Sequence, residues 1–195
     1  MLMAFLVVTG ACSSSGSESS SSVQPPRTTS TTGAPATVAL NEFGATDQVW
    51  NTRHKPAPDQ KPDTAYDPDP SLPPVNGKVA PRYQFVLHDK GRIVQLVREL
   101  PSGTAIDAAR GITMEELPSD ATVLWFAVKD TCAQLEVQSA SLATALAPNG
   151  DDHGYALVEF TTIQPNGSAN YNPNNIGGLR ITATAAPTPS DVPTC

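Results

Sequence analysis

Tyr83-Gln84-Phe85-Val86-Leu87-His88, then Asp89-Lys90-Gly91-Arg92, then Ile93-Val94-Gln95-Leu96-Val97-Arg98-Glu99-Leu100 is the stretch that decides the fold. Two runs rich in aromatic and β-branched residues flank a short polar insert, and Gly91 is the residue that can take positive φ in a turn. The stretch reads as an antiparallel hairpin. C-terminal to it, Ser102 to Asp107 opens a helix, with Thr104 and Asp107 spaced as a variant of the capping box. Ile106, Ala109, Thr113 and Leu117 fall on one face, and Pro118 ends the helix. Val123 to Val128 is a continuous apolar run suited to a central strand. In the next strand Ala133, Leu135 and Val137 alternate with Gln134, Glu136 and Gln138, which reads as half-buried. Ser141 to Ala147 is a short helix stopped by Pro148, and Tyr155–Ile163 and Ile176–Thr184 are two more strands. The order predicts an α+β fold, a mainly antiparallel sheet with two short helices on one face.

N-terminal to the hairpin, Lys55 to Pro81 holds eight of the chain's 19 prolines. Proline fixes φ and removes a backbone donor, so neither helix nor central strand fits there. Residues 55–81 read as an extended strap across the surface. Before the strap, Asn41 to Asn51 supplies Phe43, Val49 and Trp50, enough to dock on a core as a short helix. The globular domain is expected over 38–186, with an extended tail at 187–195.

The balance of 12 basic against 19 acidic residues gives net charge -7. That argues against a nucleic-acid partner, which calls for a basic face. No run of 18 apolar residues exists to span a bilayer. No cofactor motif and no metal-ligand spacing is present, so none is expected.

The N-terminus carries the most specific signal. Met1 to Val8 is an apolar run, followed by Thr9-Gly10-Ala11-Cys12. An apolar stretch closed by small residues is the pattern of a secretory signal, here residues 1–11. With a cysteine directly after the small pair, the segment resembles the lipobox of bacterial lipoproteins, most of all actinobacterial ones. The resemblance implies that Cys12 receives a diacylglyceryl group and becomes the new N-terminus, fixing the protein to the outer face of the cell membrane. Thr9 departs from the pattern, where an aliphatic residue is commoner. The first basic residue is Arg27, whereas a signal carries positive charge ahead of its apolar core, so the reading frame is expected to begin upstream of Met1. Residues 13–32 contain nine Ser and four Thr. Such composition buries too little apolar area to offset its ordering entropy, and residues 12–37 read as a lipidated cysteine on a flexible tether.

With Cys12 assigned to lipid, Cys132 and Cys195 are left in a compartment that permits disulfides. Cys132 shares the even-numbered face of its strand with Gln134 and Glu136, where a passing tail can reach it, so the two are expected to pair.

The search for chemistry yields less. His88 reads as a solvated strand end. His153 follows Asp151 and Asp152, an arrangement that orients an imidazole for base catalysis but is more simply a polar turn. No nucleophile elbow or S-x-x-K motif accompanies it. Asp63, Asp67 and Asp69 suggest calcium, yet the EF-hand spacing fails, and mutual repulsion keeping the strap solvated is the plainer account. Trp50, His54 and Tyr66 are the candidate ligand-binding residues. Tyr83, Trp125 and Tyr171 are further aromatic candidates for a groove between strap and sheet, though Trp125 fits a core strand better. Two functions follow: a non-enzymatic envelope domain that binds a small ligand, a wall polymer or an envelope protein, or a cell-wall or ester hydrolase built around His54 or His153.

Overall fold

The computed structural model describes residues 38, 40, 42–57, 65–75, 77–129, 132–162 and 171–188. The expected signal, Cys12, the tether, Asp63 and Cys195 lie outside them. The described chain forms α1 (Asp47–Arg53), β1 (Tyr66–Pro68), β2 (Pro81–Asp89), β3 (Arg92–Thr104), α2 (Ile106–Glu116), β4 (Thr122–Val128), β5 (Ala133–Gln138), α3 (Ala140–Leu146), β6 (Tyr155–Thr162) and β7 (Ile176–Thr184). The strands make one seven-stranded sheet in the order β1-β2-β3-β7-β6-β5-β4, and every neighbouring pair is antiparallel. The α+β assignment therefore stands, and the short helix expected within Asn41–Asn51 forms as α1, shifted to Asp47–Arg53.

Register explains the core. Phe126, Leu135, Val158, Ile181, Leu96 and Val86 are successive cross-strand partners from β4 to β2. Side chains alternate along a strand, so Ala133 and Val137, Ala156 and Phe160, Leu179, and Leu100 continue the row's apolar face in β5, β6, β7 and β3. Bulges in β2 and in its pairing with β3 bring Tyr83 and Ile93 into the core as well. Helix α2 packs against β3, β6 and β7, and α3 against β3. The helical face expected from the sequence is confirmed, with Ala109, Thr113 and Leu117 buried, but Glu116 is buried with them. The capping box is not formed: Ala105 is the N-cap, and the Thr104 hydroxyl donates instead to the Pro101 carbonyl. Ser139 caps α3 by accepting from the Leu142 amide. Just before β6, Gly154 brings its backbone against this cap; a Cβ there would sit 2.1 Å from the Ser139 carbonyl oxygen.

Two strand assignments are reversed. The apolar run Val123–Val128 lies in β4, at the edge of the sheet and not its centre, with Val123, Leu124 and Val128 about half exposed. The alternating strand β5 lies one place further in and is buried on both faces, Gln134 and Glu136 included. Their partners account for this: Glu136 accepts from Trp125 Nε1 and from the Thr188 amide, and Gln134 donates to Glu159. In the proline-rich stretch, β1 pairs Tyr66 with Tyr83 and Pro68 with Pro81. It is an edge strand, the position where proline is tolerated.

Candidate functional site

The site grows from the end of α1. Thr46 caps the helix by accepting from the Val49 amide, and His54 closes it in extended conformation. Trp50 and His54 are four apart, one helical turn, so their rings meet, stacked 3.8 Å apart. Tyr66 and Tyr83 approach Trp50 edge-on at 5.4 and 5.1 Å. The three sequence candidates, Trp50, His54 and Tyr66, are thus brought together. They are not the surface groove expected of Trp50 and Tyr66, because both are essentially fully buried.

Around these rings lies a shell of paired charges. His54 Nε2 contacts Glu42 Oε2 at 2.6 Å, and His54 Nδ1 contacts Asp67 Oδ2 at 2.7 Å. Arg53 donates through Nε and Nη2 to the other Glu42 oxygen. Asp67 also accepts from the Lys55 amide. Asp69 accepts from Arg82 and Ser71. The Tyr83 hydroxyl donates to Glu116, which is also paired with Arg98. Asp67 and Asp69 are therefore held by partners, and repulsion does not describe them.

Burial works against the charge on His54, but its two carboxylate partners outweigh that and raise its pKa above the ordinary 6.5. Burial likewise pushes the Glu116 carboxyl up, with Arg98 opposing and the Glu42 charge adding to the rise. Tyr83 is driven far above its ordinary value by burial and by the Glu116 and Glu42 charges. Asp69 is pulled down, chiefly by its hydrogen bonds from Ser71. Between these groups opens a hollow of about 470 Å³, lined by Glu42, Arg53, His54, Asp67, Arg82, Tyr83, Arg98, Glu115 and Glu116.

Both nitrogens of the His54 ring are engaged. An imidazole accepts a proton only through a free lone pair, and both ring nitrogens of His54 face carboxylates. Among the described residues, no serine, threonine or cysteine lines the hollow. His153 stands elsewhere, exposed, 3.4 Å from an equally exposed Asp152. The Asp151 side chain is spent on the Gly154 and His153 amides of a turn. His88 is not a free strand end: its Nδ1 is 2.7 Å from Asp47 Oδ1. Trp125 lies at the far edge of the sheet, donating to Glu136 and the Thr188 carbonyl. Tyr171 packs partly buried against the core. Cys132 is buried and disulfide-bonded. Among the described residues, no group of three or more His, Cys, Asp and Glu could hold a metal ion, and no helix is long and apolar enough to cross a membrane.

Sequence reasoning missed Glu42, Arg82, Arg98 and Glu116. Glu116 alone left a local trace, since it continues the Ala109–Thr113 face at the next helical step. The site is a charged pocket whose described lining includes His54 and Tyr83; Trp50, stacked on His54, and Tyr66 are buried beneath these rings and do not line it. No protein-family model, no curated protein and no solved structure matches the chain.

Proposed function

We propose that this is an exported lipoprotein of the cell envelope, anchored through Cys12 to the outer face of the cell membrane, whose domain binds a ligand or partner without transforming it. The observation that carries the binding reading is the charged pocket itself. Its one described imidazole is held at both nitrogens, and the arginines and carboxylates around it are paired donors and acceptors, groups suited to recognising a polar ligand. A small polar ligand, a wall polymer or an envelope protein would meet arginines and carboxylates fixed by mutual pairing. The ends of α1 and α2 and, from the described part of the proline-rich stretch, Asp67 wall this pocket. The anchor rests on the Thr9-Gly10-Ala11-Cys12 resemblance. Acyl chains supply roughly 0.8 kcal/mol per buried methylene, and two chains suffice for stable anchoring. Such a protein needs no basic surface to stay at a membrane, in keeping with its acidic balance.

Cys132 and Cys195 are taken as disulfide partners. Thr188 hydrogen-bonds Glu136, which shares the even-numbered face of β5 with the position of Cys132. The seven residues that follow Thr188, ending at Cys195, can span roughly 23 Å when extended, more than the ~13 Å of strand between Glu136 and Cys132. A bridge closing this loop would stabilise the domain by about 4 kcal/mol in the chain-entropy model.

Fractionating cells that carry Cys12→Ala tests the anchor: the domain should leave the membrane fraction while remaining folded. A variant held as firmly as the wild type overturns it. Turnover of ester or peptidoglycan substrates, lost in His54→Ala or His153→Ala, would replace binding by hydrolysis.

A further inference from the structure

We propose that the proton on His54 latches β1 over the aromatic cluster at the pocket, so that deprotonation frees β1 and bares Trp50, Tyr66 and Tyr83. The inference deepens the binding reading, for it names what governs access to that pocket. It begins with donor counting. A charged imidazole carries two N–H donors, and both are used, one on Glu42 and one on Asp67. A neutral ring carries one donor and one lone pair. Whichever tautomer forms, a lone pair then faces a carboxylate at hydrogen-bond distance, and one contact must break.

The two sides are unequal. Glu42 is backed by Arg53 through two donors, and its neighbour Phe43 is tied to α2 by a backbone bond to the Glu116 carbonyl. Asp67 accepts from the Lys55 amide and returns its own amide to the Lys55 carbonyl, with the Arg82 charge acting on it and no side-chain donor beyond His54 among its described hydrogen bonds. Its backbone sits at φ 54°, a conformation that costs any residue other than glycine. It also belongs to a three-residue strand paired with β2 at two register positions and bridged on its other side only between Tyr66 and Pro56 among the described residues. The weaker side is Asp67, so β1 is what lets go. Tyr66, edge-on to Trp50 in that strand, moves with it.

The other charged groups around the ring do not replace the lost proton. Arg82 is engaged with Asp69, and Arg98 with Glu116. Tyr83 stays neutral, and Glu115 adds a further negative charge to the pocket wall. The sign follows from linkage. A folded-state pKa above the ordinary 6.5 gives a contribution fully present below pH 6.5 and lost as pH rises through the folded value. The latch is closed in acid and opens in alkali.

Amide hydrogen exchange on the disulfide-intact domain, corrected for intrinsic rates and run from about pH 6 to about pH 9, reads the latch directly. The reporters are the Asp67 and Ala57 amides, bonded to the Lys55 and Ala65 carbonyls. Their protection should fall at least tenfold, with its midpoint at the His54 pKa measured by imidazole NMR on the same sample. Asp67→Asn should lower both the His54 pKa and the midpoint together. His54→Gln should abolish the transition, while His88→Gln leaves it in place. Protection that stays constant while His54 titrates, a transition that survives in His54→Gln, or a His54 that stays charged until the domain unfolds would each overturn the proposal. No ligand enters the measurement, so a domain that binds nothing can still pass it, and failure of the binding reading stays separate.

Discussion

Strands β4 and β5 are adjacent, antiparallel and similar in length, yet sequence and environment are mismatched in both. The more apolar strand faces solvent at the edge, and the strand with charged and amide side chains is sealed on both faces. Polarity of a segment measures what its side chains prefer, while burial depends on what its neighbours cover. A polar side chain goes inside when a partner meets its hydrogen-bonding atoms. Glu136 meets the indole of Trp125 and the amide of Thr188; on β4, no described strand covers the outer side of Val123 and Leu124.

The contrast makes quantitative claims. The largest effect should come from Leu135→Ala on β5, a fully buried member of the apolar row: about 2–5 kcal/mol in urea unfolding, as for other buried leucines. An equal loss from Leu124→Ala on β4 would erase the distinction between the strands. Next, Glu136→Ala should cost about 1–3 kcal/mol, because the Thr188 amide loses its acceptor in a half-buried setting. If it costs nothing, water replaces the carboxylate and β5 is less sealed than described. The smallest effect belongs to Leu124→Lys. At this exposed bulge position stability should change by less than about 0.5 kcal/mol, while solubility of the purified domain improves because a charge now guards the edge. A large stability loss would mean that the edge is covered.

The same contrast explains what was legible beforehand. Hairpin β2–β3, the buried face of α2 and the extents of β6 and β7 followed from local periodicity and turn chemistry, which act within a few residues. The placement of β4 and β5 did not, because the groups that satisfy Glu136 lie 11 and 52 residues away in sequence. The site divides along the same line. Trp50 and His54 share a helical turn and could be paired by eye. Glu42 and Asp67 reach His54 from 12 and 13 residues off, and Glu116 reaches Tyr83 across 33. Asp67 drew notice as one of a run of acids, but its partner is an imidazole on another element. Thr104 had the spacing of a cap and found a nearer acceptor in Pro101.

The place of β7 in the sheet bears on when this protein can fold. It is the last described strand in the chain and the fourth of seven in space, joining β3 on one side to β6 on the other. Until residues 176–184 have left the ribosome, the chain holds two partial sheets with open edges that no described strand joins. Non-local pairing of this kind also closes slowly. A polypeptide meant to cross a membrane through a narrow channel gains from that delay, since it is presented unfolded without a chaperone having to undo a finished sheet. In the exported protein proposed above, the strand order is thus itself a timer.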